Sequence, residues 1–348
     1  MNIDHESFAF EERIGLCVTS IRQYLIIYGG RIGYLNTETC NELWIYNTIN
    51  GTCRRYPVPD EISRKNTNSS ICTVENKVYL FGSLLRPLPD GTTYSLVSFD
   101  TSNFSWQDLS RFTNDDQQYS PPRMLESLLF YHDDSLYILG RIEHVRGDFI
   151  VSMCKLSLLT NIWSPVEQNG PTPIYIHEFN GTVFNNKLYT FGFTQGDGPE
   201  QYRFINIFDF YNNTWTSRET KSKTQMYPEP RFLESFAYSR SYIFISGGNG
   251  LGTYFSDIWR IDLENLEWIK LEITHERSVS MHGMAIIDDC YLYSFGGMRV
   301  EDYTPNTFER FILRPPTLYR LCLEYISRSP DLRSLTDFLP ASIVDELD

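Results

Sequence analysis

A short strand that ends in glycine recurs six times along the chain, and this repetition constrains the fold more than any other sequence feature. Each copy is mostly aromatic and aliphatic, and the copies end at Gly30, Ser83, Arg141, Phe193, Gly248 and Gly297, at intervals of 49 to 58 residues. A period of this length indicates stacked supersecondary units rather than one ordinary core. The second, third and fourth copies lack the Gly-Gly ending of the others, so we expect those units to turn differently.

In four of the repeats another strand follows the glycine-ended strand, and a tryptophan comes at a fixed distance after its end. That strand ends at Asp100, Ser157, Asp209 and Asp262, and six residues later come Trp106, Trp163, Trp215 and Trp268. Asn47 and Cys53 hold the same places in the first repeat. A sheet of four short strands cannot bury both faces alone, so neighbouring units must stack. We expect the tryptophan to fill the wedge between stacked sheets.

These landmarks predict an all-β fold, a six-bladed propeller over residues 1–316, followed by a short three-helix segment over residues 317–348. An aromatic content of 15% suits β-structure. The sixth repeat has one strand, at 306–313, between its glycine pair and Pro315-Pro316, which cannot continue a strand. We therefore predict that residues 7–10 supply the missing strand and close the ring; the alternative is a frayed terminus.

Charge and cysteine content exclude several classes of function. The formal net charge of −14 argues against broad binding to nucleic acid or anionic membranes, which depends on excess Lys and Arg. The first residues lack a signal-peptide pattern, and no apolar run reaches membrane-spanning length. Seven scattered cysteines without a Cys-x-x-Cys pair indicate a reduced compartment and no zinc site. We expect a cytoplasmic or nuclear protein.

From Thr317 onward the strand pattern gives way to helical spacing. Leu318, Leu321, Cys322 and Tyr325 follow the i, i+3, i+4, i+7 pattern of one helix face, and Thr317 is the predicted N-cap. Ser329-Pro330 predicts a second helix start, Leu339-Pro340 a break, and residues 342–345 a capping box that opens a last short helix. Such helices cannot form a core of their own. They are either a plain cap on the propeller or a surface that awaits a partner.

The glycine and tryptophan pattern resembles the kelch repeat over nearly the whole chain. The tail resembles two short binding motifs in order: an elongin-binding box at Thr317, Leu318, Leu321, Cys322 and Ile326, and a cullin-2 box at Leu339, Pro340, Ile343 and Leu347. A cullin-5 box would carry a second proline where Ser342 stands. The chain is therefore similar to the kelch-domain substrate receptors of cullin-RING ubiquitin ligases. The resemblance implies that the tail binds elongin B/C and cullin-2 and that the ring binds substrate proteins through short C-terminal degrons. We expect the tail to lie largely outside the ring packing.

Arginines in the loops after the glycine strands are the candidate degron pocket. They are Arg31, Arg86, Arg141, Arg146, Arg203 and Arg299. Arginine suits forked recognition of a terminal carboxylate, although ordinary solvated loop arginines are the alternative. Related receptors carry two arginines in the fourth-blade loop and aromatic residues where the first strands of blades five and six begin. Here one arginine and the residues Leu233 and Met281 stand there, so the pocket is not a copy.

Residues 123–127 and 231–235 are near-repeats of each other, and each contains a glutamate three residues after an arginine. We expect Glu126 and Glu234 to pair with Arg123 and Arg231 rather than to line the pocket.

The sequence motifs do not support an enzyme. The six histidines show no metal-ligand spacing, His282 is expected to be structural, and no nucleophile or phosphate-loop motif is present, so we expect a non-catalytic adaptor without a cofactor. A copper oxidase of the seven-bladed type would need one more blade. The main alternative to a ligase receptor is a kelch scaffold or regulator that binds a phosphatase, kinase or cytoskeletal partner; a metalloenzyme is the third.

Overall fold

The computed structural model describes residues 13–32, 40–62, 66–84, 91–110, 119–143, 149–173, 179–192, 200–299 and 308–347. In these residues the chain forms six antiparallel sheets that are the blades of a propeller, as predicted. Blade 1 contains β1 (Arg13–Ile21), β2 (Tyr24–Ile32), β3 (Glu42–Asn47) and β4 (Cys53–Pro57). Blade 2 contains β5 (Asn66–Val74), β6 (Lys77–Leu84), β7 (Tyr94–Asp100) and β8 (Ser105–Asp108).

The next three blades repeat this order. Blade 3 contains β9 (Leu125–His132), β10 (Ser135–Glu143), β11 (Phe149–Ser157) and β12 (Trp163–Pro165). Blade 4 contains β13 (Asn180–Phe184), β14 (Lys187–Phe191), β15 (Phe204–Asp209) and β16 (Thr214–Glu219). Blade 5 contains β18 (Ser235–Tyr238), β19 (Tyr242–Ser246), β20 (Asp257–Asp262) and β21 (Glu267–Thr274), with β17 (Lys221–Ser222) paired parallel to β21.

Blade 6 has three described strands, β23 (Gly283–Ile287), β24 (Tyr291–Phe295) and β26 (Glu309–Ile312). A short pair, β22 (Val279–Ser280) and β25 (Met298–Arg299), lies beside them. The strand predicted at 306–313 is present as β26, but β25 also follows the sixth glycine pair, so the described residues hold two strands there rather than one. Residues 7–10, predicted to complete this blade, lie outside the described residues.

The first strand of each blade is the innermost one, and these strands lie side by side around the central channel. β1 contacts β5, β5 contacts β9, and β9 contacts β13; on the other side β18 contacts β23, which returns to β1. The second strands, such as β6 and β24, are almost wholly buried because they lie between strands of their own blade and the neighbouring blades. That burial is why they read as continuous apolar runs rather than alternating ones.

Tryptophans fill the spaces between blades, as the fixed spacing predicts. Trp163 packs with Tyr94 of blade 2, and Trp215 packs in a cluster with Leu128 and Met153 of blade 3. Trp268 of blade 5 packs against the aromatic residues of blade 4. Each tryptophan thus buries its ring against the preceding blade, and this apolar burial is the main source of stability between neighbouring sheets.

Glycine at the end of a second strand allows the next blade to approach. Gly247 has φ +64°, and a Cβ added there would lie 2.3 Å from the carbonyl oxygen of Val279. Gly296 has φ +65°, and a Cβ there would lie 2.5 Å from the carbonyl oxygen of Arg13. Continuation of the second strand past the glycine does not distinguish the blades, because β2 of blade 1 continues past Gly30 just as β6 and β10 continue past Gly82 and Gly140. The difference lies in backbone conformation, since Gly29 and Gly30 have positive φ and Gly140 does not.

Three short helices follow the ring: α1 (Leu318–Arg328), α2 (Pro330–Arg333) and α3 (Ala341–Leu347), with a 3₁₀ turn at Thr336–Phe338. Thr317 caps α1 as predicted, because its hydroxyl accepts a hydrogen bond from the backbone N–H of Arg320 at 3.2 Å. The predicted capping box at residues 342–345 is wrong. α3 begins at Ala341, so Ser342 lies inside the helix.

Candidate functional site

The ring has two faces that differ in what they carry. We call the face where the second strands end the mouth face; it carries Arg31, Arg141 and Arg299. The opposite face, formed by the turns between first and second strands and between third and fourth strands, is the tail face. The C-terminal helices contact it at Gln23, Ile49 and Asp288.

The outer side of α1 is apolar and open to solvent. Leu318 is 77% exposed and Tyr325 is 69% exposed, and Leu321 and Cys322 are also exposed on the same stripe. These four residues line an open groove of about 550 Å³ together with Ile326, which also packs on its inner side against the buried cluster around Ile49. The i, i+3, i+4, i+7 pattern therefore marks a solvent-facing apolar stripe, which is unusual for an amphipathic helix on a folded ring.

The inner side of α1 carries a buried charged residue. Arg320 is 3% exposed; its Nη2 donates to the carbonyl oxygen and hydroxyl of Thr48 at 2.9 and 2.8 Å, and its Nη1 donates to Asp288 at 3.0 Å. Its Nε donates to Glu324, also buried, at 2.9 Å. The expectation that the tail lies outside the ring packing is wrong, because this paired polar edge faces the blades.

The residues predicted to bind cullin-2 face inward for the most part. Leu347 is buried, and Leu339 and Ile343 pack against a cluster that contains Ile49 of blade 1 and Leu323 of α1. The side-chain amides of Gln23 and Asn47 donate to the carbonyl oxygen of Glu346, and that of Asn50 donates to Leu347.

Two exposed residues of this segment were missed by sequence reasoning. Phe338 is 83% exposed and Leu335 is also exposed, next to Leu339 and the exposed Pro340. Their only signal in the sequence is that they are apolar residues beside a predicted helix break.

Four of the six candidate pocket arginines are described, and all four lie on the mouth face. Arg31 and Arg141 lie near the ends of the second strands β2 and β10, Arg299 lies in β25 of blade 6, and Arg203 precedes β15 of blade 4. Arg86 and Arg146 lie outside the described residues. Arg31 and Arg299 belong to neighbouring blades, and the Nε of Arg299 is buried without a hydrogen-bond partner among the described residues.

Two of these arginines already have acidic and aromatic neighbours. Arg141 forms an ion pair with Glu126 and stacks over Phe149 at 4.7 Å. Arg203 lies 3.6 Å from Glu200 and stacks over Tyr227 at 4.4 Å. Their charge is partly neutralised, whereas no ion pair of Arg31 or Arg299 lies among the described residues, and on that ground Arg31 and Arg299 are the better candidates to bind a free carboxylate.

The predicted pairing of each glutamate with the arginine three residues before it is wrong in both near-repeats. Glu126 pairs with Arg141, and Arg123 is exposed. Arg231 donates to Asp257 at 2.6 Å, while Glu234 accepts a hydrogen bond from the hydroxyl of Tyr202 at 3.0 Å. These partners come from other strands and loops, which sequence proximity does not reveal.

Apolar residues stand where the first strands of blades 5 and 6 begin. The N–H of Met281 donates to the carbonyl oxygen of Leu233 at 3.0 Å, and the N–H of Gly15 donates to that of Met281 at 2.9 Å. All three have positive φ, so equivalent positions of blades 5, 6 and 1 form a linked backbone arc. Leu233 is exposed there, which gives this part of the mouth face an apolar side.

A histidine cluster lies buried between blades 5 and 6. The Ser246 hydroxyl contacts Nε2 of His275, whose Nδ1 contacts Glu309, and Nε2 of His282 lies 3.4 Å from Ser246. The order serine, histidine, glutamate is that of a hydrolase triad. Ser246 is wholly buried, however, so no substrate reaches its hydroxyl. His282 is a buried residue of the blade interface, as expected.

The stability of the protein should depend on pH through His282. Burial, and to a lesser degree the neighbouring His275, hold the pKa of His282 well below its usual 6.5. Below pH 6.5 the unfolded chain therefore binds a proton that the folded chain does not. We expect the free energy of unfolding to fall below pH 6.5, with His282 contributing about 1.4 kcal/mol per pH unit.

Urea unfolding at pH 7.5 and pH 5.5 measures this dependence. His282→Asn should unfold with a smaller difference between the two pH values than the unsubstituted chain. An identical difference in both proteins would contradict the assignment to His282.

Across the described ranges, no group of three or more His, Cys, Asp or Glu side chains is placed to hold a metal ion. In that same part of the chain, the helices are too short and too polar to cross a bilayer.

Comparison with known proteins identifies the class to which this propeller belongs. The profile of the KLHDC2/KLHL20/DRC7 Kelch-repeats domain matches residues 2–193 and 185–317. The chain therefore belongs to the kelch-repeat family, whose propellers are typically non-catalytic interaction scaffolds.

Within the family the chain is similar to Kelch domain-containing protein 10. The Rattus norvegicus protein is 22% identical over 317 residues, which cover 88% of this chain and 75% of the relative. The Drosophila melanogaster homolog is 26% identical over 233 residues, covering 59% of this chain and 37% of the relative. Kelch domain-containing protein 1 of Mus musculus is 21% identical over 304 residues, covering 84% and 64%.

Proposed function

We propose that this protein is the substrate-recognition subunit of a cullin-2–elongin B/C ubiquitin ligase. In this proposal the outer side of α1 binds elongin, and the mouth face binds a short degron, most simply a C-terminal one. The two sites lie on opposite faces of the ring, so both partners can be bound at once.

The observation that carries the proposal is the exposed stripe of Leu318, Leu321, Cys322 and Tyr325. The helix is already ordered against the ring by its inner side, so a partner that covers the stripe does not have to fold it first. An exposed apolar stripe beside an open groove is typical of a protein-interaction surface. Cys322 is small, and it allows close approach of a partner's helix or loop.

Co-purification tests the tail half of the proposal. The full chain, expressed with elongin B/C and with cullin-2, should form a stoichiometric complex on size exclusion. A chain that elutes alone at micromolar concentration would contradict it.

A peptide selection tests the mouth half. A pool of random peptides with free C-termini is bound to the full chain, and the enriched peptides are then compared with their C-terminal amides. We expect amidation and the double substitution Arg31→Ala, Arg299→Ala each to weaken binding about tenfold, the value of one charge-assisted hydrogen bond. The two changes should not be additive.

Arg141→Ala is the matched control for the mouth, because Glu126 already neutralises that arginine. It should weaken binding less than the double substitution does. Amidated peptides that bind as tightly as free acids would end the carboxylate part of the proposal.

The inward packing of Ile343 and Leu347 favours a second candidate, in which the chain does not engage cullin-2. A kelch scaffold or regulator would then bind a phosphatase, kinase or cytoskeletal partner without ubiquitylation. A complex that contains elongin B/C but never cullin-2 would point to this second candidate.

A further inference from the structure

The place where the ring closes is the interface between blade 1 and blade 6, which we call the seam. Ser20 of β1 donates its hydroxyl to the carbonyl oxygen of Ile286 of β23 at 2.8 Å, and the N–H of Gly297 donates to that of Arg13 at 2.8 Å. An apolar cluster with Leu25 of blade 1 and Tyr293 of blade 6 fills the seam. The blades on its two sides are the first and the last in the chain, so no short connection joins them.

Helix α1 lies across this seam on the tail face. The guanidinium of Arg320 bonds to Thr48, in the turn after β3 of blade 1, and to Asp288, in the turn after β23 of blade 6. One side chain therefore joins the two blades through three hydrogen bonds of 2.8 to 3.0 Å.

A second buried residue of α1 extends these contacts. Glu324 accepts from Nε of Arg320 at 2.9 Å and lies 3.9 Å from Arg310 of β26, on the blade 6 side. Leu323 packs on Ile49, on the blade 1 side.

We propose that the C-terminal helix α1 is a closure clamp of the propeller, with Arg320 as the residue that fastens the first blade to the last. Arginine is suited to this role because its planar fork can bond two partners at once in a buried site, where charge-assisted hydrogen bonds are strong. The proposal does not depend on what binds the outer side of α1. It explains why a charged residue is buried on a helix whose apolar stripe faces solvent.

Hydrogen exchange of the full chain, read peptide by peptide, tests the clamp. Arg320→Met should raise exchange about tenfold in β1 and β23, the two first strands at the seam, because it removes hydrogen bonds between charged and buried groups. β9 of blade 3, on the far side of the ring, should keep its protection. Arg328→Met is the control. Arg328 lies on the same helix, is exposed, and of the residues in the clamp it contacts Glu324 but neither Thr48 nor Asp288.

The location of the change decides the outcome. Faster exchange confined to α1, α2 and α3, with β1 and β23 unchanged, would overturn the clamp and leave the tail as a passive cap.

Asp288→Asn keeps the test decisive if Arg320→Met does not fold. It weakens only the blade 6 side of the clamp, and Thr48 still holds Arg320. We then expect faster exchange in β23 and in the turn at residues 288–290, while unchanged exchange there would overturn the proposal.

Discussion

Replacing Leu318 and Cys322 with aspartate should abolish co-purification of elongin B/C while the ring stays folded. Both side chains point to solvent, so the substitutions bury nothing polar in the free protein. In a complex, two unpaired carboxylates in an apolar contact would cost several kcal/mol, enough to reduce a nanomolar affinity beyond detection. A pull-down from cell lysate with antibodies to elongin B and C measures the effect.

Leu159→Asp is the matched control for this substitution. Leu159 is 79% exposed in a turn of blade 3, on the same face of the ring as the tail. It introduces one carboxylate on the same face, against two in the double variant, and should leave elongin binding unchanged. If the Leu318/Cys322 double variant still retains elongin B and C, the receptor proposal fails and the scaffold alternative takes its place.

The fold could be predicted because its signals repeat. The glycine-ended strand occurs six times, and a tryptophan follows at constant spacing in four repeats. Each repeat is identified independently, so a wrong assignment in one blade does not change the predicted architecture. The phase of α1 was also predictable, since Leu318, Leu321, Cys322 and Tyr325 share one side of a helix.

Which side of α1 meets the ring was not predictable. The usual rule buries apolar residues and exposes charged ones, yet Arg320 is buried and Leu318 is exposed. The reversal depends on Thr48 and Asp288, which lie 272 and 32 residues away and satisfy the guanidinium. No pattern within the tail reports those partners.

The inward packing of the third helix changes one expectation drawn from the sequence. Ile343 and Leu347 are predicted there as cullin contacts, so that changing them should lose the cullin and spare elongin binding. Because both pack with Ile49 and Leu323, charged substitutions should also loosen the tail from blade 1. Their effect on cullin-2 binding therefore has to be read together with helix stability.

Arg231→Met should destabilise the ring by about 3 kcal/mol, the low end of the range for removing one partner of a buried ion pair. Arg231 is fully buried in blade 5, where its guanidinium donates to Asp257, to the carbonyl oxygen of Glu229 at 3.0 Å and to that of Gly247 at 3.2 Å. Asp257 keeps two partners after the substitution, the indole N–H of Trp259 at 2.7 Å and Lys270 at 3.4 Å. Those partners are the reason to expect the low end.

The substitution also separates the cost of an unpaired charge from the cost of lost packing. Burial raises the pKa of Asp257, but hydrogen bonds and charge from Arg231 hold it below its usual 3.8. Most of the lost stability comes from leaving the buried Asp257 carboxylate without Arg231. Adding Asp257→Asn should therefore restore part of the free energy of unfolding. Urea unfolding of the two variants beside the unsubstituted chain measures both effects, with the exposed Arg218→Met as a control that should change little.

The same arginine connects stability to the mouth face. Its backbone N–H and carbonyl oxygen are bonded by the side chain of Gln201 at 2.8 and 3.0 Å, two residues before Arg203, and Leu233 follows two residues later. Loss of Arg231 should therefore loosen the fourth-blade loop and the apolar side of the mouth together, and peptide binding should weaken along with stability. Two results would show that the Arg231–Asp257 ion pair does not stabilise this part of the ring. One is a free energy of unfolding of Arg231→Met within about 1 kcal/mol of the unsubstituted chain, the size of an ordinary point substitution. The other is a double variant that is no more stable than the single one.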